Sequence, residues 1–177
     1  MSLVSPKSAG GYDAGMEIRV EPALDALEAV PLYDAIGWVR YTADLPRLRR
    51  AFAASTVILT ARADDGELIG LARALSDGET VCYVQDIAVH PAWQRHGGGR
   101  ALMTEMLKRY GHCPFFLLST DPPGSTEAVK SHPFYRSLGF VIHEEQDLVA
   151  FGLPVERQSR PAHDIHRATE ARSSAKE

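Results

Sequence analysis

The sequence has few cysteines, no excess of positive charge and no long apolar run, and each shortage argues against a class of protein. Cys82 and Cys113 are the only cysteines among 177 residues, and their separation matches no metal-binding or redox spacing. Lysine and arginine number 19 against 23 aspartates and glutamates, a net charge of -4, so nucleic acid is not expected as a partner. No apolar segment is long enough to cross a bilayer, so we expect no membrane partner.

The first residues also lack the features of a targeting signal. Residues 1–8 contain no apolar stretch of the kind found in secretory signal peptides, and both cysteines are expected to be buried thiols, so we predict a cytoplasmic protein. Hydrophobic residues make up 45% and charged residues 24%, as in an ordinary globular domain. We expect a leader over 1–15, one domain over 16–153 and a polar tail over 154–177, whose composition alone would indicate disorder.

Hydrophobic periodicity and turn residues predict an alternation of strands and helices in the order β-α-α-β-β-β-α-β-α-β-β. Strands are predicted over 16–20, 56–62, 68–75, 80–89, 115–119, 140–142 and 148–153. Helices are predicted over 23–36 with a stop at Gly37, from a cap at Asp44, over 101–110, and from Pro133 to a stop at Gly139. The strand over 115–119 is entirely apolar in its first residues and is expected to be buried on both faces.

The most informative segment follows the predicted strand over 80–89, where the chain reads Gln94-Arg95-His96-Gly97-Gly98-Gly99-Arg100 before a helix. A helix that starts with residues poor in side chains exposes backbone N–H groups at the positive end of its dipole. Such a site suits a phosphate or pyrophosphate, and the two flanking arginines add charged donors. A glycine-rich turn before a helix is also common as a purely structural element, so the loop alone leaves both interpretations open.

Residues 94–99 resemble the acetyl-CoA signature of the GNAT N-acetyltransferase superfamily, [Arg/Gln]-x-x-Gly-x-[Gly/Ala]. Residues 134–140, Phe-Tyr-Arg-Ser-Leu-Gly-Phe, resemble that family's Phe-Tyr-x-x-x-Gly-Phe block, and both motifs in this order are specific. The resemblance covers 16–153 and implies an α/β fold: a central mixed sheet with helices on both faces, splayed between strands 4 and 5. The residues it assigns to acetyl-CoA are Ile87, Ala88, Val89, Gln94, Arg95, His96, Gly97, Gly98, Gly99 and Arg100.

The resemblance also nominates residues for the chemistry. Tyr135 matches the position that protonates the departing CoA thiolate. The alternative is that Tyr135 only packs beside Phe134, which would give the same sequence. An amine with a pKa near 10 must lose a proton before it attacks, and we predict Asp86 as the base, with Gln85 and Tyr83 as weaker candidates. A carboxylate bonded to backbone at a strand bulge is the equal alternative for Asp86. No histidine or cysteine spacing indicates a metal site.

The acceptor site of this family usually draws on the first two helices, which nominates Tyr33, Asp34 and Trp38 here, with Tyr41 and Trp93 as further aromatic candidates. Packing of these aromatics onto the sheet is the alternative. The predicted function is transfer of the acetyl group of acetyl-CoA to a primary amine, a small molecule, by direct attack in a ternary complex without a metal. The alternatives are a catalytically silent acyl-CoA-binding or sensing module and acetylation of a protein amine. Members of the family are often dimers, so a homodimer is expected.

Overall fold

The computed structural model describes residues 15–153, so the predicted tail and all but the last residue of the predicted leader lie outside it. The chain divides into two compact units, with the boundary between Ala128 and Val129. The strands are β1 (Met16–Val20), β2 (Val57–Ala63), β3 (Leu68–Ser76), β4 (Val81–Val89) and β5 (Phe115–Leu118). The helices are α1 (Ala26–Ala35), α2 (Val39–Thr42), α3 (Leu45–Ala53), α4 (Gly98–Tyr110) and α5 (Thr126–Arg136), with short 3-10 helices at Pro91–Trp93 and His143–Gln146.

The five strands form one sheet in the order β1-β2-β3-β4-β5. The first three pairs are antiparallel and β4 pairs with β5 in parallel, which confirms the mixed sheet expected from the resemblance. The parallel pairing runs only from Val81 opposite Phe115 to Val84 opposite Leu118. The second half of β4 therefore continues past the end of β5, at the position where the splay was expected.

Helices cover both faces of this sheet. On one face Tyr33 of α1 and Phe52 of α3 belong to a buried cluster that includes Leu71 of β3. On the other face α4 lies so close that a Cβ at Gly70 would stand 3.3 Å from Cδ1 of Leu102. Gly70 and Leu71 are neighbours in one strand and so point to opposite faces, which fixes the two helical layers.

Strand β4 contains a bulge that decides where its side chains point. Ala74 of β3 pairs with Val84, whereas the preceding Arg73 pairs with Asp86, so Gln85 is one extra residue in β4. Paired residues share a face, and Arg73 and Ala74 lie on opposite faces. Val84 and Asp86 therefore point to opposite faces, although a regular strand would place them on the same one. The bulge turns Asp86 towards α1 and α3.

The predicted ends of the first helices were largely correct. Asp44 caps α3 by accepting a hydrogen bond from the Arg47 amide at 3.0 Å, as predicted. Gly37 follows the end of α1 with a φ of 79°. Helix α1 begins later than predicted, because Asp25 caps it by accepting from the Leu27 amide at 3.0 Å.

Three predictions about the later part of the chain were wrong. The segments over 140–142 and 148–153 form no strand within the described residues, because a strand needs a partner strand that an apolar alternation does not supply. Phe115 is 55% exposed rather than buried, because β5 lies at the edge of the described sheet. Helix α5 begins at Thr126 rather than near Pro133, which lies inside it. The Ser125 hydroxyl accepts from the Ala128 amide at 3.1 Å, and this cap lets the helix start before the proline.

Candidate functional site

The glycine-rich loop leaves β4 through a short 3-10 turn and enters α4. The side-chain nitrogen Nε2 of Gln94 donates to the backbone carbonyl of Val89 at 3.1 Å, which holds the loop against the end of the strand. Arg95 and Gly97 both have positive φ, 69° and 89°. Such a backbone is strained for a residue with a Cβ, a cost that Arg95 bears and that glycine at position 97 avoids. The sequence over 94–100 therefore forms the reversal before a helix that was predicted.

No side chain among the described residues caps the first turn of α4. Gly97 occupies the N-cap position and offers no side chain to the amides of Gly98 and Gly99. Arg95, His96 and Arg100 are exposed around this end of the helix. Gly98 has a different reason to be glycine, because a Cβ there would meet Sδ of Met16 at 3.1 Å. A helix start without a side-chain cap, flanked by two exposed arginines, is the arrangement predicted to bind a pyrophosphate.

The second half of β4 presents main-chain groups on the side where β5 has ended. The amide of His90 donates to Ile69 of β3 at 2.8 Å. Because main-chain direction alternates along a strand, Ala88 also turns its amide to β3, whereas Ile87 and Val89 turn theirs to the open side. Of the three strand residues predicted to bind the cofactor, Ile87 and Val89 thus have the backbone direction that the role needs.

Tyr135 lies in the second unit, near the end of α5. Its ring centroid is 5.2 Å from that of Phe134 and 6.1 Å from that of Phe140. The Phe140 amide donates to the Tyr135 carbonyl at 3.1 Å after a positive φ of 91° at Gly139. The Phe-Tyr-x-x-x-Gly-Phe block is therefore a helix end closed by a glycine, and the catalytic role of Tyr135 stays a prediction.

Asp86 lies in a buried network of side chains rather than in contact with the backbone. Its side chain has no exposed surface. One carboxylate oxygen, Oδ2, accepts from Nε of Arg73 at 2.5 Å and from the Tyr33 hydroxyl at 3.0 Å. The other, Oδ1, accepts from the Tyr41 hydroxyl at 2.8 Å. Both oxygens are thus engaged, and one of their partners is a cation.

Arg73 makes this burial of charge tolerable. Its side chain is 5% exposed, donates from a terminal nitrogen to the Ser55 hydroxyl at 3.2 Å, and stands 5.7 Å above the ring of Phe52. A buried carboxylate without such a partner would be strongly unfavourable. Sequence reasoning missed Arg73, although a lone arginine inside the apolar run over 68–75 is a signal that it needs a buried partner.

The two tyrosines of the network stay protonated at neutral pH. Burial, and then the negative charge of Asp86, raise the pKa of Tyr33 far above its ordinary value. The same two causes raise the pKa of Tyr41. Each hydroxyl therefore acts as a donor to the carboxylate over the whole physiological range.

Of the three residues predicted to bind the acceptor, the structure brings Tyr33 and Trp38 together and leaves Asp34 outside their network. Tyr33 is completely buried under the network, and Trp38 is half-buried with its ring centroid 5.5 Å from that of Tyr33. Asp34 is exposed and accepts from the Thr42 hydroxyl at 2.7 Å, with no hydrogen bond to the network residues. Gln85, the bulge residue, donates from its amide nitrogen to the Tyr41 oxygen at 3.0 Å. Whether any of these residues touches a substrate stays a prediction.

No described residues form a group of three or more metal-binding side chains. No helix between residues 15 and 153 is both long and apolar enough to cross a membrane.

A mixed sheet whose fourth strand leads through a glycine-rich loop into a helix defines an α/β protein with a candidate phosphate site at that loop. Residues 54–142, half of the chain, match the model of the acetyltransferase (GNAT) domain. The structure is also similar to that of a GNAT-family acetyltransferase from Streptococcus pneumoniae TIGR4, with a TM-score of 0.67 and 30% identity over 78% of this chain and 97% of that one. The chain therefore belongs to the GNAT acetyltransferase family.

Two further relatives bear on the family assignment. An uncharacterized N-acetyltransferase, ycf52, from Gracilaria tenuistipitata var. liui is 33% identical over 115 residues, 62% of this chain and 58% of that protein. The chain thus spans less than two thirds of the length of this curated relative. The aminoglycoside N-acetyltransferase AAC(6')-Iy, solved in complex with CoA, has a TM-score of 0.58 at 22% identity and covers 84% of this chain and 99% of its own. At that identity the likeness concerns the fold alone.

Proposed function

We propose that this protein is an acetyl-CoA-dependent N-acetyltransferase that acts on a small primary amine by direct attack in a ternary complex. The observation that carries the proposal is the glycine-rich start of α4, which has no side-chain cap and directly follows the half of β4 that β5 does not pair with, in a chain of the GNAT family. A solved structure of the same fold is described as a complex with CoA, which supports the choice of cofactor.

The residues fit such a ligand without a metal. The first amides of α4, with Arg95 and Arg100 beside them, suit the pyrophosphate of CoA. The outward amides of Ile87 and Val89 suit the pantetheine arm and the thioester oxygen. Acetyl-CoA supplies the activated acetyl group, and the chain supplies proximity between it and the bound amine.

The two other interpretations are a catalytically silent acyl-CoA-binding module and an enzyme that acetylates a protein amine. Calorimetric titration with acetyl-CoA tests what all three share, and absence of binding at millimolar ligand would contradict them together. Release of free thiol is then measured on a panel of 2-phenylethylamine, an aminoglycoside and a lysine peptide. We expect turnover on a small amine. Binding without turnover would favour the silent module, and turnover only on the peptide would favour the protein substrate.

Tyr135→Phe tests the proposed acid. The variant keeps the ring that packs between Phe134 and Phe140 and loses only the hydroxyl. We expect kcat to fall by about a hundredfold, a typical contribution of general acid catalysis, while the affinity for acetyl-CoA is unchanged. Steady-state kinetics combined with calorimetry makes the measurement, with Tyr110→Phe on α4 as the control. Equal kcat in the variant and the parent protein would show that Tyr135 only packs against its neighbours and has no catalytic role.

A homodimer and a cytoplasmic location belong to the same proposal. Val149 and Phe151 are 64% and 96% exposed and lie two residues apart, an apolar pair that a second copy of the chain would cover. Light scattering at micromolar concentration is expected to give a dimer that Phe151→Asp weakens. A monomeric parent protein would contradict this part of the proposal and leave the activity untouched.

A further inference from the structure

The hydrogen bonds around Asp86 have a fixed direction. The guanidinium of Arg73 can only donate, and an ionised carboxylate can only accept. The hydroxyls of Tyr33 and Tyr41, at 3.0 and 2.8 Å from Asp86, must therefore both donate their protons to its carboxylate. The network has no freedom to reverse while the pair of charges stays in place.

Tyr41 extends this fixed order of donors and acceptors to the next residue, Gln85. Because its proton points at Asp86, the Tyr41 oxygen can only accept, and Gln85 donates to it from Nε2 at 3.0 Å. The same bond sets the orientation of the Gln85 amide and leaves its carbonyl oxygen Oε1 as an acceptor. Two neutral acceptor oxygens thus stand side by side, Oη of Tyr41 and Oε1 of Gln85.

These two residues form the open end of an otherwise closed network. Tyr33, Arg73 and Asp86 are buried, whereas Tyr41 and Gln85 are half-buried. Gln85 is also the extra residue of the bulge, directly after Val84, the last residue of β4 that pairs with β5. The acceptor oxygens therefore lie beside the half of β4 proposed to face the thioester.

The charge and the shape of this end select among amines. The negative charge of Asp86 is balanced by Arg73, and Gln85 is neutral, so the network has no net charge to attract a polycation. The half-buried ring of Trp38 lies with its centroid 5.8 Å from that of Tyr41 and offers an apolar wall. Neutral oxygens that accept N–H bonds suit an amine that has already given its extra proton to water, and they leave the lone pair of its nitrogen free for attack.

We propose that Tyr41 and Gln85 hold the acceptor amine by its N–H groups, and that the acceptor is a primary amine on an uncharged aromatic or aliphatic body. This inference rests on the proposed function and deepens it. Tyr41 and Gln85 would contact the substrate, whereas Tyr33, Arg73 and Asp86 would act as positioning residues that set the direction of the hydrogen bonds. In this proposal Asp86 does not take the role of base predicted from the sequence, because both of its oxygens already accept hydrogen bonds.

The test compares the two tyrosines that share one carboxylate. Tyr41→Phe keeps the ring and removes the acceptor oxygen, and Tyr33→Phe removes the equivalent hydroxyl at the buried end. With 2-phenylethylamine, Tyr41→Phe is expected to raise KM by about tenfold or more, the value of one hydrogen bond to a bound polar group. The affinity for acetyl-CoA should stay within about twofold, and Tyr33→Phe should lower the thermal stability more and KM less. Gln85→Leu provides a second variant at the open end, with the same expected rise in KM.

Equal effects of the two tyrosine variants on KM would show a merely structural role and overturn the proposal. A higher kcat/KM for spermidine than for 2-phenylethylamine in the parent protein would overturn the substrate class. If acetyl-CoA neither binds nor reacts, the proposed function fails, and the amine site is then judged by calorimetric binding of 2-phenylethylamine. Binding to the parent that Tyr41→Phe loses would support the site, and no binding to the parent would overturn it.

Discussion

The loop that enters α4 and the network around Asp86 solve different problems with different means. The loop uses main-chain amides and conformation within a few consecutive residues, and its arginines are exposed. The network uses side chains from α1, α2, β3 and β4, and its charges are buried. Exposed charges contribute little to stability, whereas breaking a buried pair is costly. Changes in the loop should therefore affect ligand binding, and changes at the buried end of the network should affect the fold.

Among the changes considered, removal of Arg73 should have the largest effect on the stability of the fold. Arg73→Ala leaves the carboxylate of Asp86 buried without a counter-charge, and we expect the free energy of unfolding to fall by about 3–5 kcal/mol. Urea denaturation measures the change. The control is Arg109→Ala, which breaks an exposed ion pair with Glu105 on α4 and should cost less than about 1 kcal/mol.

The double variant Arg73→Met with Asp86→Leu sharpens the same point. Replacing a buried ion pair by apolar residues of similar volume is often neutral for stability. The double variant should therefore recover part of what Arg73→Ala loses, less the cost of leaving the buried Tyr33 hydroxyl without its acceptor. If Arg73→Ala were as stable as the parent protein, the pair would not be buried as described.

Gly99→Val should give the opposite pattern. Gly99 lies in the first turn of α4 and has no positive φ, so the stability should change by less than about 1 kcal/mol. A side chain there would obstruct a pyrophosphate, and the affinity for acetyl-CoA is expected to fall by about tenfold or more. Calorimetry and urea denaturation on the same samples make the measurement.

Gly97→Val is the matched comparison, because Gly97 has a φ of 89° and a side chain there is strained. It should lose both affinity and stability, where Gly99→Val loses affinity alone. Unchanged affinity in Gly99→Val would place the phosphates elsewhere.

Alkaline pH should weaken the network and leave the loop intact. Burial and Asp86 raise the pKa of Tyr33 above its unfolded value, so the folded state keeps a proton that the unfolded state releases above about pH 10. The stabilisation is complete below that pH and is lost above it, at about 1.4 kcal/mol per pH unit for each such tyrosine. Urea denaturation between pH 8 and 11 should show a smaller slope for Tyr33→Phe than for the parent, and equal slopes would contradict the assignment.

Arg100→Ala should have the smallest effect. Removing one exposed cation leaves the helix-start amides in place, so we expect a loss of only a few-fold in affinity for acetyl-CoA, more at low salt than at high salt. Lys108→Ala, at the other end of α4, is the control. A loss larger than that of Gly99→Val would mean that the loop binds through its side chains rather than through its backbone.

The later part of the chain shows where local patterns mislead. The residues over 148–153 alternate as a strand does, yet the described residues there form none. An alternating pattern indicates which side chains favour burial. A strand also requires hydrogen bonds to a neighbouring strand, and the pattern does not identify that strand. For the same reason the apolar residues over 115–118 did not reveal that β5 lies at an edge.

The sequence by itself determined the features that depend on neighbouring residues: the cap at Asp44, the stop at Gly37 and the glycine-rich entry into α4. Each arises from contacts within one turn, which residue type and spacing specify. Only the tertiary structure decided the role of Asp86, whose partners Arg73, Tyr41 and Tyr33 are 13, 45 and 53 residues away along the chain. One extra residue in β4 turns this side chain to the opposite face, and the register that creates the bulge exists only once β3 and β4 have paired.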